Sequence, residues 1–181
     1  MARIRRRAQP LTVSRPALLV KGSDAEFRRL IHDLIAYGHR LDACRDAFAA
    51  IVGISGVQCE ILLLVGRSSG SRGLAVGEVA ARLHRSGAFI TIEANKLVGR
   101  GVLEKASDPQ DGRRVLLRIT GKGQLMLQRL APYQRRVNDV LFECLDAKRF
   151  RQLRALAGDL VACGDRAVTM LEFLLHEAEA A

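Results

Sequence analysis

The sequence lacks the features of several protein classes. Tryptophan is absent and aromatic residues make up only 4 % of the 181 residues, which argues against binding of single-stranded nucleic acid by base stacking. No run of about 18 consecutive apolar residues occurs, so we expect no transmembrane helix and no membrane partner. The basic N-terminus has no continuous apolar core of the kind found in a secretory signal.

Motifs of metal-dependent and nucleotide-dependent enzymes are missing as well. The four histidines are scattered along the chain, and the four cysteines include no C-x-x-C pair. No glycine-rich phosphate loop follows a predicted strand. We therefore expect no metal, no cofactor and no enzymatic activity. The residues concerned are His32, His39, His84, His176, Cys44, Cys59, Cys144 and Cys163.

The chain is strongly basic. Its formal charge is +10 and its sequence pI is about 10.3. A polyanionic partner is therefore favoured over a simple metabolite. Charge alone does not separate a DNA-binding protein from a soluble protein that happens to be basic.

Residues 74–99 have the pattern of two short helices joined by a tight turn. Apolar residues at helical spacing give residues 74–83 one apolar face, and Ser86 is a good N-cap for a second helix. Ile90, Ala94 and Leu97 would face inward, and the glycines at 99–101 would end the helix. Such a pair is a helix-turn-helix, whose second helix is suited to the DNA major groove. The inward residues expected on the first helix are Val76, Val79, Ala80 and Leu83.

A basic β-hairpin follows. Residues 102–105 and 115–119 are rich in strand-forming side chains, and the segment between them, Asp-Pro-Gln-Asp-Gly-Arg-Arg, is typical of a turn. Arg113 and Arg114 lie at its cationic end, where either side chain is suited to a narrow minor groove. The alternative is that Arg113 forms an ion pair with Asp111 or Asp108 and only rigidifies the hairpin.

The order of these elements resembles the MarR family of bacterial transcription regulators. The resemblance rests on L-x-V-x-E-V-A-x-R-L, on a Ser-capped helix ending K-L-V-x-R-G-V-L-E-K, and on D-P-Q-D-G-R-R-V-L-L-R-I-T-x-K-G. It implies a mainly α protein, a winged helix-turn-helix with a two-stranded β wing, flanked by N- and C-terminal dimerisation helices. It also implies a cytoplasmic homodimer that binds an inverted-repeat operator in double-stranded DNA.

The flanking helices show clear start signals. Ser23 and Ser55 each begin a capping-box pattern, and Thr120 and Asp146 are suited to cap two C-terminal helices. Those helices are too apolar to pack wholly on a compact winged helix, and a second copy is the economical partner. The predicted regions are a basic flexible arm at 1–22, a dimerisation helix at 23–53, a winged domain at 54–123 and C-terminal dimerisation helices at 124–181.

Outward positions of the second helix are the candidates for base recognition. Ala88, Thr91 and Ile92 are suited to apolar contact with thymine methyl groups, Asn95 to adenine, and Lys96 to phosphate. For each residue the alternative is an ordinary surface position. The predicted DNA-binding residues are Ser86, Ala88, Thr91, Ile92, Asn95, Lys96, Arg113 and Arg114.

Glu93 departs from the family pattern, in which an apolar residue is common at this position. Lys96 and Arg100 follow it at distances that allow an ion pair on the same helix face. The sequence does not choose between them.

The resemblance also implies a small-molecule effector bound between the dimerisation helices and the winged domain. Tyr37, His39 and Arg40 are polar groups midway along the first helix, and Cys59 would supply an apolar wall. A cationic group there would suit an aromatic acid or its thioester. We therefore expect a repressor released by a ligand. The alternatives are ordinary packing of these residues, a non-specific architectural DNA-binding protein, and a regulator that senses oxidants through a cysteine.

Overall fold

In a computed structural model, the protein is described at residues 10–68, 73–108, 110–111 and 114–180, with the side chain of residue 180 left out. The chain is mainly helical. It contains a short 3-10 helix at Pro16–Leu18 and a three-stranded antiparallel sheet. Among the described residues, the six α-helices are α1 (Ala25–Ile51), α2 (Gly56–Arg67), α3 (Val76–Arg82), α4 (Gly87–Gly99), α5 (Gly121–Leu141) and α6 (Ala147–Ala180).

The sheet contains one strand more than the sequence predicts. Strands β2 (Leu103–Ser107) and β3 (Val115–Ile119) form the expected hairpin. Strand β1 (Leu74–Ala75) pairs with the other edge of β3, so that the strand order is β1-β3-β2. The prediction of a helix from residue 74 was therefore wrong for its first two residues, which are buried in the sheet.

The core of the winged domain lies between α2, α3, α4 and the sheet. Its fully buried side chains include those from the predicted inward face of α4, which confirms that prediction. The inward face predicted for α3 is also confirmed, because Val79 and Ala80 are buried while Val76 and Leu83 pack against the core. Other members of this core are Ile61, Leu62, Val65, Val102, Leu103 and Leu117.

Three of the four helix starts predicted for the flanking helices are confirmed. Ser55 forms the capping box with Gln58 at the start of α2. The Thr120 hydroxyl accepts a hydrogen bond from the Gly123 amide at 3.1 Å, and Asp146 accepts one from the Arg149 amide at 2.8 Å. These contacts satisfy backbone donors that the first turn of a helix leaves without partners.

The capping box predicted at Ser23 does not form. Helix α1 begins at Ala25 with Asp24 as its N-cap residue, and no capping hydrogen bond is made by the Asp24 side chain. That carboxylate instead accepts hydrogen bonds from the Thr12 amide and hydroxyl, both at 2.8 Å, and forms an ion pair with Arg28 at 2.7 Å. Residues 10–22 of the predicted flexible arm are therefore attached to the start of α1 through Thr12.

Two compact units divide the chain between Gln134 and Arg135, within α5. In the first unit, Met126, Leu127 and Leu130 of α5 are partly or fully buried, the first two against the winged-domain core. In the second unit, every described side chain of α6 is exposed.

Candidate nucleic-acid interface

Both ends of helix α4 are defined by specific contacts. At its start, the Ser86 hydroxyl accepts a hydrogen bond from the Phe89 amide at 3.3 Å, as the sequence predicts for an N-cap. At its end, Gly101 has a φ of 69°, and the amides of Gly101 and Val102 donate to the carbonyls of Val98 and Leu97. These two bonds form a Schellman motif, which requires the left-handed conformation that glycine adopts without strain. The length and direction of α4 are therefore fixed.

One face of α4 is buried in the core, and the opposite face is exposed. Ile92 is 55 % exposed, whereas Ile90, two residues earlier on the same helix, is fully buried. The Thr91 hydroxyl donates to the Gly87 carbonyl at 2.8 Å, so its methyl group is the part of the side chain without a polar contact. The exposed residues of this face that carry a side chain are Ala88, Phe89, Thr91, Ile92, Asn95 and Lys96. Apart from the N-cap, the α4 residues predicted to face DNA are five in number, and all of them share this surface. Phe89 lies beside them and was not predicted from the sequence.

Glu93 is buried on the edge of this face and pairs with Lys96 rather than with Arg100. Its Oε1 lies 2.6 Å from the Lys96 ammonium, and its Oε2 accepts a hydrogen bond from the Gln58 amide nitrogen at 2.8 Å. The hydrogen bond from Lys96, followed by the one from Gln58, lowers the pKa of the Glu93 carboxyl against the opposing effect of burial. Glu93 is therefore ionised at neutral pH. Arg100 instead donates to the Gly53 carbonyl in the turn between α1 and α2.

The wing is closed by hydrogen bonds across its turn. The Asp108 amide donates to the Arg114 carbonyl at 3.0 Å, and the Asp108 carboxylate accepts from the Gln110 amide at 3.0 Å. Arg114 also forms an ion pair with Glu78 of α3, with 3.2 Å between Nη2 and Oε1. Arg114, which lies between the turn and the second strand of the wing, thus connects the wing to the helix-turn-helix. Arg113, the other arginine predicted to enter a minor groove, lies outside the described residues.

A cleft of about 950 Å³ lies between the end of α1 and the first half of α5. Its walls combine apolar side chains with cationic and polar groups. Lys122, in the cleft wall, donates to the Arg100 carbonyl at 2.7 Å, which connects the cleft to the residue that ends α4. The lining residues are Ile51, Val52, Lys122, Leu125, Met126, Gln128, Arg129 and Tyr133.

The four residues predicted to bind an effector do not line this cleft. Tyr37 is half-buried, His39 and Arg40 are exposed on α1, and Arg40 donates to the Ala36 carbonyl one turn earlier. Cys59 is buried in α2 with 1 % of its surface exposed. The cleft could not be predicted from the sequence because its walls come from segments that are about seventy residues apart in the chain.

The cysteines differ in their surroundings. Burial raises the pKa of the Cys59 thiol to about 11, so this side chain is a thiol at neutral pH and a poor nucleophile. Cys44 is half-buried, and Cys144 and Cys163 are exposed. Within the described part of the chain, no group of three or more potential metal ligands occurs. Among the same residues, no single helix is long and apolar enough to cross a membrane, and only the pair of α1 and α2, bent by 84°, passes that test jointly.

Comparison with known proteins agrees with this architecture. Residues 52–114 match the family model described as MarR family. No curated protein matches the chain at the level of sequence.

Solved structures share the fold at low sequence identity. A MarR family transcriptional regulator from Rhodococcus sp. RHA1 is 18 % identical with a TM-score of 0.64, and the match covers 76 % of this chain and 96 % of that chain. CouR from Rhodococcus jostii RHA1, bound to p-coumaroyl-CoA, is 19 % identical with a TM-score of 0.64 over 70 % of this chain and 87 % of its own. The S. aureus MepR–DNA complex is 17 % identical with a TM-score of 0.60 over 73 % and 95 %. Residues 52–114 thus resemble the MarR family, as the sequence predicts, and the predicted winged helix-turn-helix fold class is confirmed.

Proposed function

We propose that the protein is a homodimeric transcriptional regulator that binds a specific site in double-stranded DNA. The observation that carries this proposal is the exposed face of α4, held by a buried opposite face and placed beside a β-hairpin wing. A helix presented in this way fits the DNA major groove, and a wing fits the neighbouring minor groove or backbone. The formal charge of +10 favours the same polyanion. MepR, which shares the fold, has been solved bound to DNA. Action on DNA would place the protein in the cytoplasm of a bacterial cell.

The second part of the proposal is the dimer. Helix α1 exposes Leu30, Leu34 and Ile35, each between 45 % and 53 %, on a long helix that buries only Phe48 and Ala49. Helix α6 exposes a longer series of apolar side chains. Apolar surface of this extent is typical of an interface. A two-fold dimer would present two α4 helices to two half-sites about one DNA turn apart, and an inverted-repeat operator matches that symmetry.

The chemistry of the exposed face suggests how bases are read. Ala88, Ile92 and the Thr91 methyl group offer apolar contacts, and Asn95 offers an amide that can pair with adenine. We propose a site rich in A·T pairs in which thymine methyl groups meet Ile92. Each buried methyl is worth about 0.8 kcal/mol, or about fourfold in Kd.

The first experiment measures fluorescence anisotropy of DNA from the region upstream of the protein's own gene and of a random duplex across a salt series. The expected result is a preference of about a thousandfold or more at physiological salt. Equal affinities that fall together as salt rises would instead establish a phosphate-driven architectural protein and would end the proposal of specific regulation.

Base reading is then tested on the preferred site with deoxyuridine in place of thymidine, which removes only the C5 methyl groups. We expect a loss of about fourfold for each methyl that α4 contacts. Ile92→Ala should remove most of the difference between the two duplexes. If thymidine and deoxyuridine sites bind equally to the unsubstituted protein, the proposed apolar reading is wrong.

The third part concerns the effector. We propose that the protein is a repressor and that the cleft between α1 and α5 binds a small amphipathic anion. Leu125 and Met126 offer apolar contacts and Arg129 a positive charge. The hydrogen bond from Lys122 to the Arg100 carbonyl gives such a ligand a route to the end of α4. CouR, which shares the fold, was solved with p-coumaroyl-CoA.

The probes for this step are p-coumarate and p-coumaroyl-CoA, added to the protein–DNA complex. Release of the DNA is expected, with Arg129→Gln weakening the response by about tenfold and Arg40→Gln leaving it unchanged. An equal response from both variants would place the ligand elsewhere. If neither probe releases the DNA and neither binds the free protein by calorimetry, this ligand class is excluded.

A further inference from the structure

Helix α4 carries a single basic residue. Among its thirteen residues, only Lys96 has a positively charged side chain. Its ammonium lies 2.6 Å from Glu93 Oε1, three residues earlier on the helix. The Lys96 side chain is 56 % exposed, whereas that of Glu93 is only 10 % exposed. The single cation of α4 is therefore paired with a carboxylate that the fold holds in place.

Glu93 is held in place from the opposite side as well. Its Oε2 accepts a hydrogen bond from the side-chain amide of Gln58 at 2.8 Å. The Gln58 carbonyl oxygen in turn accepts from the Ser55 amide at 3.2 Å, as part of the capping box of α2. Glu93 thus contacts a side chain whose own position is set by the start of another core helix. Turning this carboxylate away from Lys96 would break its hydrogen bond with Gln58.

The pair has a consequence for binding to a polyanion. Sequence-independent affinity for DNA comes from cations that replace the counterions of phosphates, and each such contact adds about 0.9 to the dependence of log K on log salt. A cation already paired with a partly buried carboxylate brings no net charge to the phosphates. The Glu93–Lys96 pair therefore leaves the exposed face of α4 electrically neutral, in a chain whose net charge is +10.

We propose that Glu93 neutralises Lys96 and so limits the phosphate-driven affinity of α4 for DNA of any sequence. This inference rests on the proposed function, since it requires that α4 faces DNA. Lys96 then contributes little to phosphate binding, contrary to the role predicted for it from sequence. Recognition by α4 is left to its apolar groups and Asn95. Binding by α4 then depends on contacts with base edges rather than on charge.

The test compares the unsubstituted dimer with Glu93→Gln on a random duplex, by anisotropy across a salt series. Glutamine keeps the shape of the side chain and can still accept the hydrogen bond from Gln58, but it removes the negative charge. We expect Glu93→Gln to bind random DNA more tightly, by about fivefold per chain at 0.15 M salt, with the slope of log K against log salt steeper by about 0.9 per chain. A purely structural role for Glu93 predicts weaker binding and no steeper slope, which would overturn the inference.

A second variant makes the test independent of the first. The double variant Glu93→Gln/Lys96→Gln keeps the face neutral, so the slope and the affinity for random DNA should match those of the unsubstituted protein. If Lys96 contacts a phosphate in the unsubstituted protein, the double variant loses that contact and its slope becomes shallower by about 0.9 per chain. That result would overturn the inference even if Glu93→Gln alone did not fold.

The two proposals fail in different ways. If the unsubstituted protein binds no duplex at any salt concentration, the proposed function is wrong and the inference falls with it. If the unsubstituted protein binds duplex DNA but the slope of Glu93→Gln is unchanged, the proposed function stands and only the role assigned to Glu93 is wrong. Thermal melting of each variant, compared with the unsubstituted protein, separates loss of charge from loss of fold.

Discussion

The winged domain buries its large apolar side chains, whereas helix α6 exposes them. In the winged domain, Ile61, Leu97 and Leu117 are fully buried, and they belong to one continuous core. In α6, the large apolar residues from Phe150 to Leu175 are all at least 43 % exposed. A segment that packs its own core is stable by itself, whereas a long helix with an exposed apolar series needs a surface from elsewhere. One chain thus combines a winged domain that has its own buried core with a long helix whose apolar side chains are exposed.

The largest expected effect follows from placing charge on the exposed series of α6. Leu160 and Leu171 lie on the same side of the helix and are 57 % and 55 % exposed. If α6 packs against a second copy, Leu160→Asp/Leu171→Asp removes two buried leucines from each chain. That change should cost about 6 kcal/mol of association free energy, or about four orders of magnitude in the dimer dissociation constant. Sedimentation velocity over a concentration series measures this directly.

A matched control is available on the same helix. Ala162 lies about 180° around the helix from both leucines, since successive residues are separated by about 100°. Ala162→Asp introduces the same charge on the opposite side and should leave the dimer intact. Equal dissociation by both variants, or a monomer already in the unsubstituted protein, would remove α6 from the proposed interface.

Within α4, a fully buried isoleucine can be compared with an exposed one. Ile90→Ala removes a fully buried side chain and should lower the free energy of unfolding by about 2–5 kcal/mol, through lost burial and the cavity that remains. Ile92→Ala, on the same helix, removes the same atoms from a side chain that is 55 % exposed and should cost less than about 0.5 kcal/mol. Urea denaturation followed by circular dichroism compares them. Similar losses would mean that α4 does not have one buried and one exposed face.

The packing of α3 and α4 was predictable because their signals are local. Apolar residues spaced three and four apart mark the buried face of a helix without any knowledge of what covers it. The positions of Val79, Ile90 and Leu97 were therefore correct from sequence alone. The N-caps at Ser55 and Ser86 were predictable for the same reason, because a capping hydroxyl accepts a hydrogen bond from an amide only three residues away.

Features that depend on distant parts of the chain were missed. Strand β1 exists because Leu74 and Ala75 pair with Leu117 and Leu116, some forty residues later, and two residues alone carry no strand periodicity. The cleft was missed for the same reason, because Val52 and Tyr133, which both line it, are far apart in the chain. The Gln58–Glu93 hydrogen bond also joins residues that no local pattern relates.

Two helix starts have the same capping pattern in the sequence but make different capping contacts in the structure. Ser55 begins a helix of the winged-domain core and makes both bonds of the capping box. Ser23 precedes the exposed helix α1, and its hydroxyl accepts a bond from the Ala25 amide at 3.2 Å without forming a capping box. Ser55→Ala should therefore lower the free energy of unfolding by about 1 kcal/mol, whereas Ser23→Ala should change it by less than about 0.5 kcal/mol. Thermal denaturation of the two variants decides, and a larger loss at Ser23 would contradict the observed caps.

The smallest expected effect is on the pH dependence of stability at the start of α1. The hydrogen bonds from the Thr12 amide and hydroxyl, together with the charge of Arg28, lower the pKa of the Asp24 carboxyl below its ordinary value of 3.8 against the opposing effect of burial. In the unfolded chain this carboxyl binds a proton at higher pH than in the folded protein. Its contribution to stability is therefore complete above pH 3.8 and is lost as the pH falls through the lower, folded value.

Asp24→Asn should accordingly be less stable than the unsubstituted protein at pH 7, and this difference should shrink by pH 3. Asp33→Asn, which alters an exposed aspartate of the same helix, serves as the control. A difference for Asp24→Asn that stays constant from pH 7 to pH 3 would show that the contact with Thr12 does not depend on the charge of Asp24.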